Sequence, residues 1–339
     1  MRSIAAYATH RLWRNSALSL KSSKRPLPQG YSGKVLKKQL KYSRKKMCFS
    51  QQCCSENGLK TQILYSGSEH SKKTSVVICS YRGNEYLVKR CLESLERQTF
   101  PPDEIILVVD TEEEREEYAE IFSGVKVICS GKIGLAAARN KGIEESEGEI
   151  VAFIDDDAFA DKKWLQEIVN TFSNDVVAVG GHVKPVFKGK KIKEKLNWII
   201  GCTSINPPTE RPIGCNMAFR RNVFSAVGLF NESLGRVRKK LSLGEETEMF
   251  LRIKKYMPDA KIVFNPNAVV YHEIPEKRTK LGYILRRAYE EGLAKAVIGK
   301  KYELSVEGKY LRYYLRNMDL ITFLVLLSAG LGYIRGRLK

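Results

Sequence analysis

The chain has 339 residues, of which 43% are hydrophobic, so it can bury the core of one large α/β domain with appendages or of two small domains. Its formal net charge of +20 divides into +13 for residues 1–72, −1 for residues 73–275 and +8 for residues 276–339. A neutral middle between basic ends is typical of a globular catalytic unit whose flanks meet an anionic surface. We expect membrane lipid there and no specific nucleic-acid partner, because the C-terminal end is also apolar.

The eight cysteines do not form a disulfide framework. Five of them lie in apolar contexts, where a free thiol behaves as a small hydrophobe: Cys79, Cys91, Cys129, Cys202 and Cys215. The cluster of Cys48, Cys53 and Cys54 has no His and no second Cys-x-x-Cys to complete a zinc site. Since the chain also shows no apolar signal region near its start, we expect a reduced, cytoplasmic compartment.

Residues 1–72 are predicted to form a disordered basic segment. Hydrophobic periodicity is weak there, Ser, Lys and Arg are abundant, and prolines and glycines interrupt the chain. The first half, rich in Arg and Ser and free of acids, also resembles an organelle transit peptide, and a start codon placed too far upstream is a third explanation. These alternatives stay open, and we assign the segment no chemistry.

Polar residues follow the first strands of a predicted sheet. Three apolar runs predict these strands, at residues 74–79, 104–110 and 125–129. The first is followed by a polar turn that begins with Ser80 and Tyr81 and by a helix over 85–98 with one apolar stripe. The second ends in the carboxylate of Asp110. Ligands of open α/β sheets bind at the carboxyl ends of the strands, so these side chains are expected to face a cleft.

An alanine run, Gly134–Gly142, predicts a helix that packs closely on the sheet. Arg139 and Asn140 lie one turn into it, where a cation and an amide could reach a phosphate or a ribose. The alternative is a packing helix with an exposed arginine, and the run by itself favours that alternative.

A fourth buried strand over 149–155 delivers three consecutive carboxylates, Asp155, Asp156 and Asp157. Crowded like charges raise one another's pKa, so such a cluster needs a compensating cation or ligand. Hard oxygen ligands of this kind suit Mg²⁺ or Mn²⁺ held together with substrate phosphates. The alternative is a solvated acidic turn that caps the next helix. Four β-α units with right-handed crossovers predict a mostly parallel sheet with a nucleotide-sized crevice.

The second half of the chain is less regular. Residues 176–184 predict extended chain, residues 186–213 a long mobile loop, and residues 214–220 a further strand. Glu245 and Glu246 then open an amphipathic helix, where the helix dipole by itself accounts for acidic residues. His272 ends another strand, and a lone histidine in that position is more often structural than a ligand.

Set in order, these segments resemble the family 2 glycosyltransferases with the GT-A fold, over residues 74 to about 300. The matching motifs are a first nucleotide loop at Ser80-Tyr81, a base-contacting Asp110, Gly-x-x-x-Ala-Arg-Asn at 134–140, Asp-x-Asp at 155–157, acceptor-side segments at 216–219 and 228–232, and an acidic pair at 245–246. Residues 271–278 and 286–295 are similar to a branch that includes archaeal glucuronosyltransferases acting on dolichyl-phosphate-linked sugars.

The resemblance implies a metal-dependent, inverting transfer from a nucleotide-diphosphate sugar, a UDP-sugar by preference, to an acceptor hydroxyl on a lipid-linked or other glycan, hence a place in glycan biosynthesis. It implies Mg²⁺ or Mn²⁺ on Asp157, Asp155 and His272. It assigns the donor to residues that fit the motifs: Ser80, Tyr81, Asp110, Arg139, Asn140, Asp155, Asp156 and Arg278. The acceptor proton is expected to go to Glu246, with Glu245 as the alternative base.

The C-terminal residues 301–339 are predicted to associate with a membrane. The apolar stretch 320–334 has basic and aromatic flanks, which suit a helix that lies in or dips into the cytosolic leaflet. It is short for a spanning helix, which needs about 20 residues, and a helix packed on the domain is the alternative. We therefore expect a folded domain over 73–300 that sits at the cytosolic face of a membrane.

Two rival functions remain. A sugar nucleotidyltransferase also uses carboxylates and a metal, but it needs a Gly-rich, basic loop after the first strand, which the turn at Ser80 supplies poorly. A basic module that binds membrane or nucleic acid around an inactive core would use only the two ends of the chain.

Overall fold

The computed structural model describes residues 72–81, 85–206, 211–235 and 244–338. The predicted basic segment 1–72 therefore lies outside the described residues, apart from Lys72. The turn after Tyr81 and part of the segment 186–213 also lie outside them.

A mixed sheet forms the centre of the described part of the chain. Its strands, numbered along the chain, are β1 (Thr74–Cys79), β2 (Glu104–Val109), β3 (Lys126–Cys129), β4 (Ile150–Asp155), β5 (Ala158–Ala160), β6 (Val176–Phe187), β7 (Met217–Arg220) and β8 (Lys261–Ile274). They are ordered β3-β2-β1-β4-β7-β6-β8-β5. Pairing is antiparallel where β7 meets β4 and β6 and where β5 meets β8, and parallel elsewhere. The predicted mostly parallel sheet is confirmed.

Helices cover both faces of the sheet. They are α1 (Glu85–Glu96), α2 (Glu112–Ile121), α3 (Leu135–Glu145), α4 (Trp164–Thr171), α5 (Asn222–Val227), α6 (Glu245–Tyr256), α7 (Leu281–Ile298), α8 (Ser305–Arg316) and α9 (Leu320–Leu338), with 3₁₀ helices at Glu194–Ile200 and Glu276–Thr279. One core cluster joins the sheet to α1 and α4 around Leu95 and Trp164. The other joins it to α3, α5 and α6 around Phe219 and Phe250.

The pairing of β1 with β4 determines where the site can form. These strands are parallel neighbours, with Cys79 opposite Asp155, so Ser80 and Asp156 leave the sheet side by side. Helix α3 packs closely on strand β1, as its alanines predict. A Cβ at Gly142 would lie only 2.4 Å from Cγ1 of Val77. The carboxyl ends of the central strands and the start of α3 therefore meet at one edge.

The prediction of a long mobile loop over 186–213 is wrong in two stretches of the part that the structure describes. Strand β6 continues to Phe187, and a 3₁₀ helix follows at Glu194–Ile200. Leu196 and Ile199 of that helix are buried against Ile284 and Val325, so they belong to a hydrophobic core. The lysines of the segment hid this apolar pattern.

Helix α9 packs on α7 through small residues. A Cβ at Gly292 would lie 1.9 Å from the carbonyl oxygen of Ala329, and one at Gly332 would lie 1.9 Å from that of Tyr289. Such close approach is typical of helix pairs that associate through small residues, including those in membranes. Among the described helices, α9 is the one long and apolar enough to cross a membrane, with a mean hydropathy of 1.3 and 22% of its apolar window buried. It is longer than the apolar stretch 320–334 indicates.

Candidate active site

One cavity of about 990 Å³ collects almost all the residues that the sequence singles out. Its lining includes Ser80, Tyr81, Asp110, Arg139, Asp155, Asp156, Asp157, Glu245, Glu246, His272 and Arg278. The carboxyl ends of strands β1, β2 and β4 supply the serine, the tyrosine and the aspartates, as expected for an open α/β sheet, and helix α3 supplies Arg139. Helix α6, strand β8 and the 3₁₀ helix Glu276–Thr279 supply the others. Asn140 does not line this cavity.

Asp155, Asp157 and His272 form a group that fits a divalent cation. One ligand atom from each lies within 4.8 Å of the others. The antiparallel pairing of β5 with β8, with Ala158 opposite His272, brings the histidine to the aspartates. Two carboxylates and an imidazole suit Mn²⁺ well, whereas Mg²⁺ prefers oxygen ligands throughout.

Arg278 neutralises part of this acidic group. Its Nη2 donates to Oδ2 of Asp157 at 3.0 Å, and its Nη1 lies 3.1 Å from Nε2 of His272. Burial opposes a charge on His272, but Asp157, whose Oδ1 lies 3.1 Å away, raises the pKa of His272 well above its usual value. A metal on this histidine would therefore have to displace a proton and the guanidinium contact.

The middle carboxylate of the run, Asp156, faces the first loop. The hydroxyl of Ser80 donates to its Oδ2 at 2.7 Å. Burial and the neighbouring Asp157 raise the pKa of Asp156 to about 7. Asp110, at the end of β2, is partly buried, and burial together with Glu114 raises its pKa. The surroundings of both aspartates favour their neutral forms. A cationic or hydrogen-donating ligand in the cavity would stabilise their ionised forms.

A second acidic pair lies at the start of α6. Gly244 precedes it with a φ of +97°, and a Cβ there would lie 2.7 Å from Cδ1 of Ile298, so a side chain would fit poorly. Burial and Glu246 raise the pKa of Glu245 to about 8. Burial opposes ionisation of Glu246 as well, but Arg139 and hydrogen bonds from the backbone and Glu245 lower its pKa. The pair therefore favours sharing a proton, and Glu245 is the member that binds it more tightly.

Arg139 is buried, with 2% of its surface exposed, so the exposed arginine that the alanine run favours is wrong. Its Nη1 donates to Oε1 of Glu245 at 2.9 Å, and its Nη2 lies 3.7 Å from Oδ1 of Asp155. The sequence predicts a cation aimed at a ligand, whereas the structure shows one that bridges the two acidic groups of the protein.

Asn140 faces away from the cavity and holds the segment that carries Phe230. Its amide donates to the Phe230 carbonyl at 2.9 Å and accepts from the Phe230 N–H at 2.8 Å. A weaker bond at 3.3 Å reaches Glu232. These contacts use both ends of the amide, so Asn140 orders the Gly228–Glu232 turn and is not placed to bind the donor.

Trp198 and Arg287 are among the cavity-lining residues that the sequence did not assign to the site. Trp198 lies in the 3₁₀ helix that was predicted to be loop, and Arg287 lies on α7. The spacing of Tyr283, Arg287, Glu291 and Lys295 by four residues, which places them on one helix face, is a signal that could have revealed the second.

The fold and the cavity define an enzyme of the GT-A type, an α/β sheet with carboxylates at its strand ends. The model of the family "Glycosyl transferase family 2" matches residues 75–228. The glucosyl-dolichyl phosphate glucuronosyltransferase of Haloferax volcanii is 31% identical over 265 residues, which are 74% of this chain and 84% of that protein. The chain therefore belongs to glycosyl transferase family 2 and is a glycosyltransferase.

Two further matches are more limited. Glycosyltransferase AglE of Haloferax volcanii is 30% identical over 172 residues, 47% of this chain and 56% of its own. Among solved structures, S. aureus TarS 1–349 matches 78% of this chain and 80% of its own at 19% identity, with a TM-score of 0.47. Neither match indicates the donor or the acceptor.

Proposed function

We propose that this glycosyltransferase moves a sugar from a nucleotide-diphosphate sugar, a UDP-sugar by preference, to a hydroxyl of a polyprenyl- or dolichyl-phosphate-linked acceptor, with inversion and with a divalent metal. The observation that carries the proposal is the meeting of two acidic groups in one cavity, Asp155, Asp157 and His272 on one side and Glu245 and Glu246 on the other. Transfer needs one group to receive a proton and another to compensate the leaving diphosphate.

The donor is assigned to the sheet edge. Ser80, Tyr81 and Asp110 line the cavity at the ends of β1 and β2, where the base and ribose of a nucleotide would lie. A metal held by Asp155, Asp157 and His272 would compensate the diphosphate charge as the bond to the sugar breaks. Arg278, freed from Asp157 by such a metal, would contribute its charge to the same phosphates.

The acceptor is assigned to the α6 side. Glu246 is the carboxylate of the pair that stays ionised near neutral pH, so it can accept the acceptor proton. The acceptor oxygen then forms the new bond to the anomeric carbon as the bond to the diphosphate breaks. Attack from the side opposite the leaving group inverts the anomeric configuration. Glu245 keeps its proton and orders Arg139.

A membrane is proposed as the place of action. The relative from Haloferax volcanii is named for a dolichyl phosphate substrate. Helix α9 presents an outward face of large apolar side chains, among them Leu327, Leu331 and Ile334. Exposed arginines flank that face, which suits contact with an anionic leaflet at its cytosolic side.

Donor turnover in the full chain tests the proposal. The protein would be incubated with a panel of nucleotide sugars and prenyl-phosphate-linked sugars, with Mn²⁺, with Mg²⁺ or with chelator, and the products identified by mass and anomeric configuration by NMR. We expect nucleoside diphosphate release and a new inverted glycosidic bond that depend on the metal. Transfer that is unchanged in chelator, or a product with retained configuration, would contradict it.

A further inference from the structure

The cavity continues beyond the carboxylates along helix α7. Tyr283, Arg287, Glu291 and Lys295 of that helix all line it, so one face of α7 forms its wall over about 18 Å at 1.5 Å per residue. Helices α8 and α9 supply a further, apolar part of the lining, with Leu311, Tyr314, Leu326, Ala329, Gly330 and Tyr333. The polar site and an apolar compartment therefore share one continuous space.

This apolar compartment opens on the outer surface. Leu311 and Tyr333 line the cavity and yet are 50% and 39% exposed, so they lie at its mouth. Beyond them the surface stays apolar, with Leu315 on α8 and Leu331 on α9 both more than half exposed. Exposed apolar side chains grouped around a cavity mouth are a feature of sites that accept an apolar ligand or a membrane.

Arg287 supplies an unused hydrogen-bond donor inside the cavity. Its Nε donates weakly to the carbonyl oxygen of Ile199 at 3.3 Å. Its Nη1 is buried and has no hydrogen-bond partner among the residues that the structure describes. A buried N–H of a guanidinium without an acceptor is unfavourable, so an anion bound in the cavity would stabilise it.

The position of Arg287 favours the acceptor over the donor. Arg278 already contacts the aspartate and the histidine of the metal group. Arg287 lies six residues into α7 and acts electrostatically on Glu246, the carboxylate proposed to accept the acceptor proton. Within the described part of the chain, its one hydrogen bond goes to the carbonyl oxygen of Ile199, an apolar residue of the cavity lining.

We propose that Arg287 binds the phosphate of a polyprenyl-phosphate-linked acceptor, whose hydrocarbon chain leaves the cavity between Leu311 and Tyr333. A guanidinium makes paired hydrogen bonds to phosphate oxygens, and the apolar mouth accepts the first isoprene units. The assignment rests on the proposed function and adds to it the residue that recognises the acceptor and the route by which its lipid enters.

Binding of farnesyl phosphate tests this without any transfer reaction. The full chain in detergent would be titrated calorimetrically with farnesyl phosphate and with farnesol, as wild type, Arg287→Gln and Arg286→Gln. Arg286 is the matched control because it is the adjacent arginine of the same helix and is exposed. We expect wild type and Arg286→Gln to prefer the phosphate at least tenfold, and Arg287→Gln to bind both ligands alike.

Equal losses in the two arginine variants, or an unchanged preference in Arg287→Gln, would overturn the assignment. An Arg287→Lys variant guards against misfolding, because it keeps the charge and should retain part of the preference. Binding of UDP with Mn²⁺ to the same samples reports on the donor site separately. If wild type binds UDP but does not prefer farnesyl phosphate over farnesol, only the acceptor site is refuted. If it prefers farnesyl phosphate but does not bind UDP, the proposed donor is refuted.

Steady-state kinetics give a second test once a donor is known. The acceptors would be one sugar carried on farnesyl phosphate and the same sugar carried on a phosphate-free alkyl chain. Arg287→Gln should raise KM for the first acceptor at least tenfold, leave KM for the donor unchanged, and leave the second acceptor unaffected. A similar loss of kcat with both acceptors would instead indicate a structural role and contradict phosphate recognition.

Discussion

Arg139 lies between Glu245 and Asp155, with Nη1 2.9 Å from the first carboxylate and Nη2 3.7 Å from the second. It is buried, so these contacts are hardly screened by solvent. One cation therefore connects the proposed metal end of the cavity with the proposed base end. Removing an acidic group at either end takes away part of the negative charge that stabilises the buried arginine. The two halves of the site are therefore linked energetically.

The two glutamates at the start of α6 are expected to respond differently to amide substitution. Glu246→Gln should lower kcat at least 100-fold while UDP binding persists, because general base catalysis contributes about 10²–10⁴-fold. Glu245→Gln should lower kcat less than tenfold, since that side chain already carries a proton near pH 7. Steady-state rates and UDP titrations would measure both. The opposite order of effects would make Glu245 the base.

Glu245 should also give the protein a pH-dependent stability. Its pKa is raised from 4.5 to about 8 in the folded chain, so between these values the folded state binds a proton that the unfolded state releases. The free energy of unfolding then falls as the pH rises through this window, by about 1.4 kcal/mol per pH unit at most. Denaturant unfolding from pH 5 to 8.5 would show this slope, and Glu245→Gln should flatten it. The shift of Glu246 has the opposite sign and acts below pH 4.5.

Asp157 is the carboxylate on which the metal proposal depends most. Asp157→Asn keeps the shape but removes a charge that Arg278 and His272 share, so Mn²⁺ binding should weaken at least tenfold. Calorimetry or Mn²⁺ electron paramagnetic resonance would measure the loss, with circular dichroism as the check on folding. Asp175→Asn is a suitable control because Asp175 pairs with Lys261 at an exposed site. Equal Mn²⁺ affinity in the two variants would remove Asp157 from the metal group.

The strands and their terminal carboxylates follow from the sequence because short apolar runs bounded by polar residues have few other interpretations. The meeting of Asp157 with His272 was expected only from the family resemblance, because it depends on the pairing of β5 with β8, two strands far apart in the chain. The spacing of residues within one strand carries no information about which distant strand becomes its neighbour.

Two errors share another cause, which is the treatment of charge as a sign of exposure. Arg139 was expected at the surface in the simplest interpretation, yet the acidic groups around it, Glu245, Glu246 and Asp155, make its burial tolerable. The lysines of 186–213 similarly indicated a loop. The structure instead packs Leu196 and Ile199 into a hydrophobic core, and the Tyr314 hydroxyl donates to the Lys195 carbonyl oxygen. Side-chain partners that lie elsewhere in the chain decide such cases, and a single sequence does not display them.

The close packing of α9 on α7 predicts a reversal of the usual effect of Gly→Ala in a helix. Gly282→Ala should be neutral or stabilising, by up to about 1 kcal/mol, because its Cβ meets nothing within 4 Å. Gly292→Ala on the same helix should instead destabilise by about 1–3 kcal/mol, because its Cβ would lie 1.9 Å from the Ala329 carbonyl oxygen. Chemical denaturation would compare the two. Equal effects would mean that the helices do not pack in this way.

The outward face of α9 should bind lipid without being needed for folding. Leu327 and Leu331 are 49% and 55% exposed, so Leu327→Glu with Leu331→Glu should leave the unfolding midpoint nearly unchanged. Burying each leucine in a bilayer is worth up to about 1.5–3 kcal/mol, so the double variant should lose more than tenfold in partitioning to vesicles.

Flotation with vesicles of phosphatidylcholine and phosphatidylglycerol would measure this loss. Ile121→Glu is the control, since Ile121 is 43% exposed at the end of α2, on a helix that does not line the cavity. Deleting α9 would be a poorer experiment, because α7 would lose the partner on which Gly292 packs. Undiminished flotation of the double variant would place the lipid contact on another part of the chain, and the mouth between Leu311 and Tyr333 would then open to water.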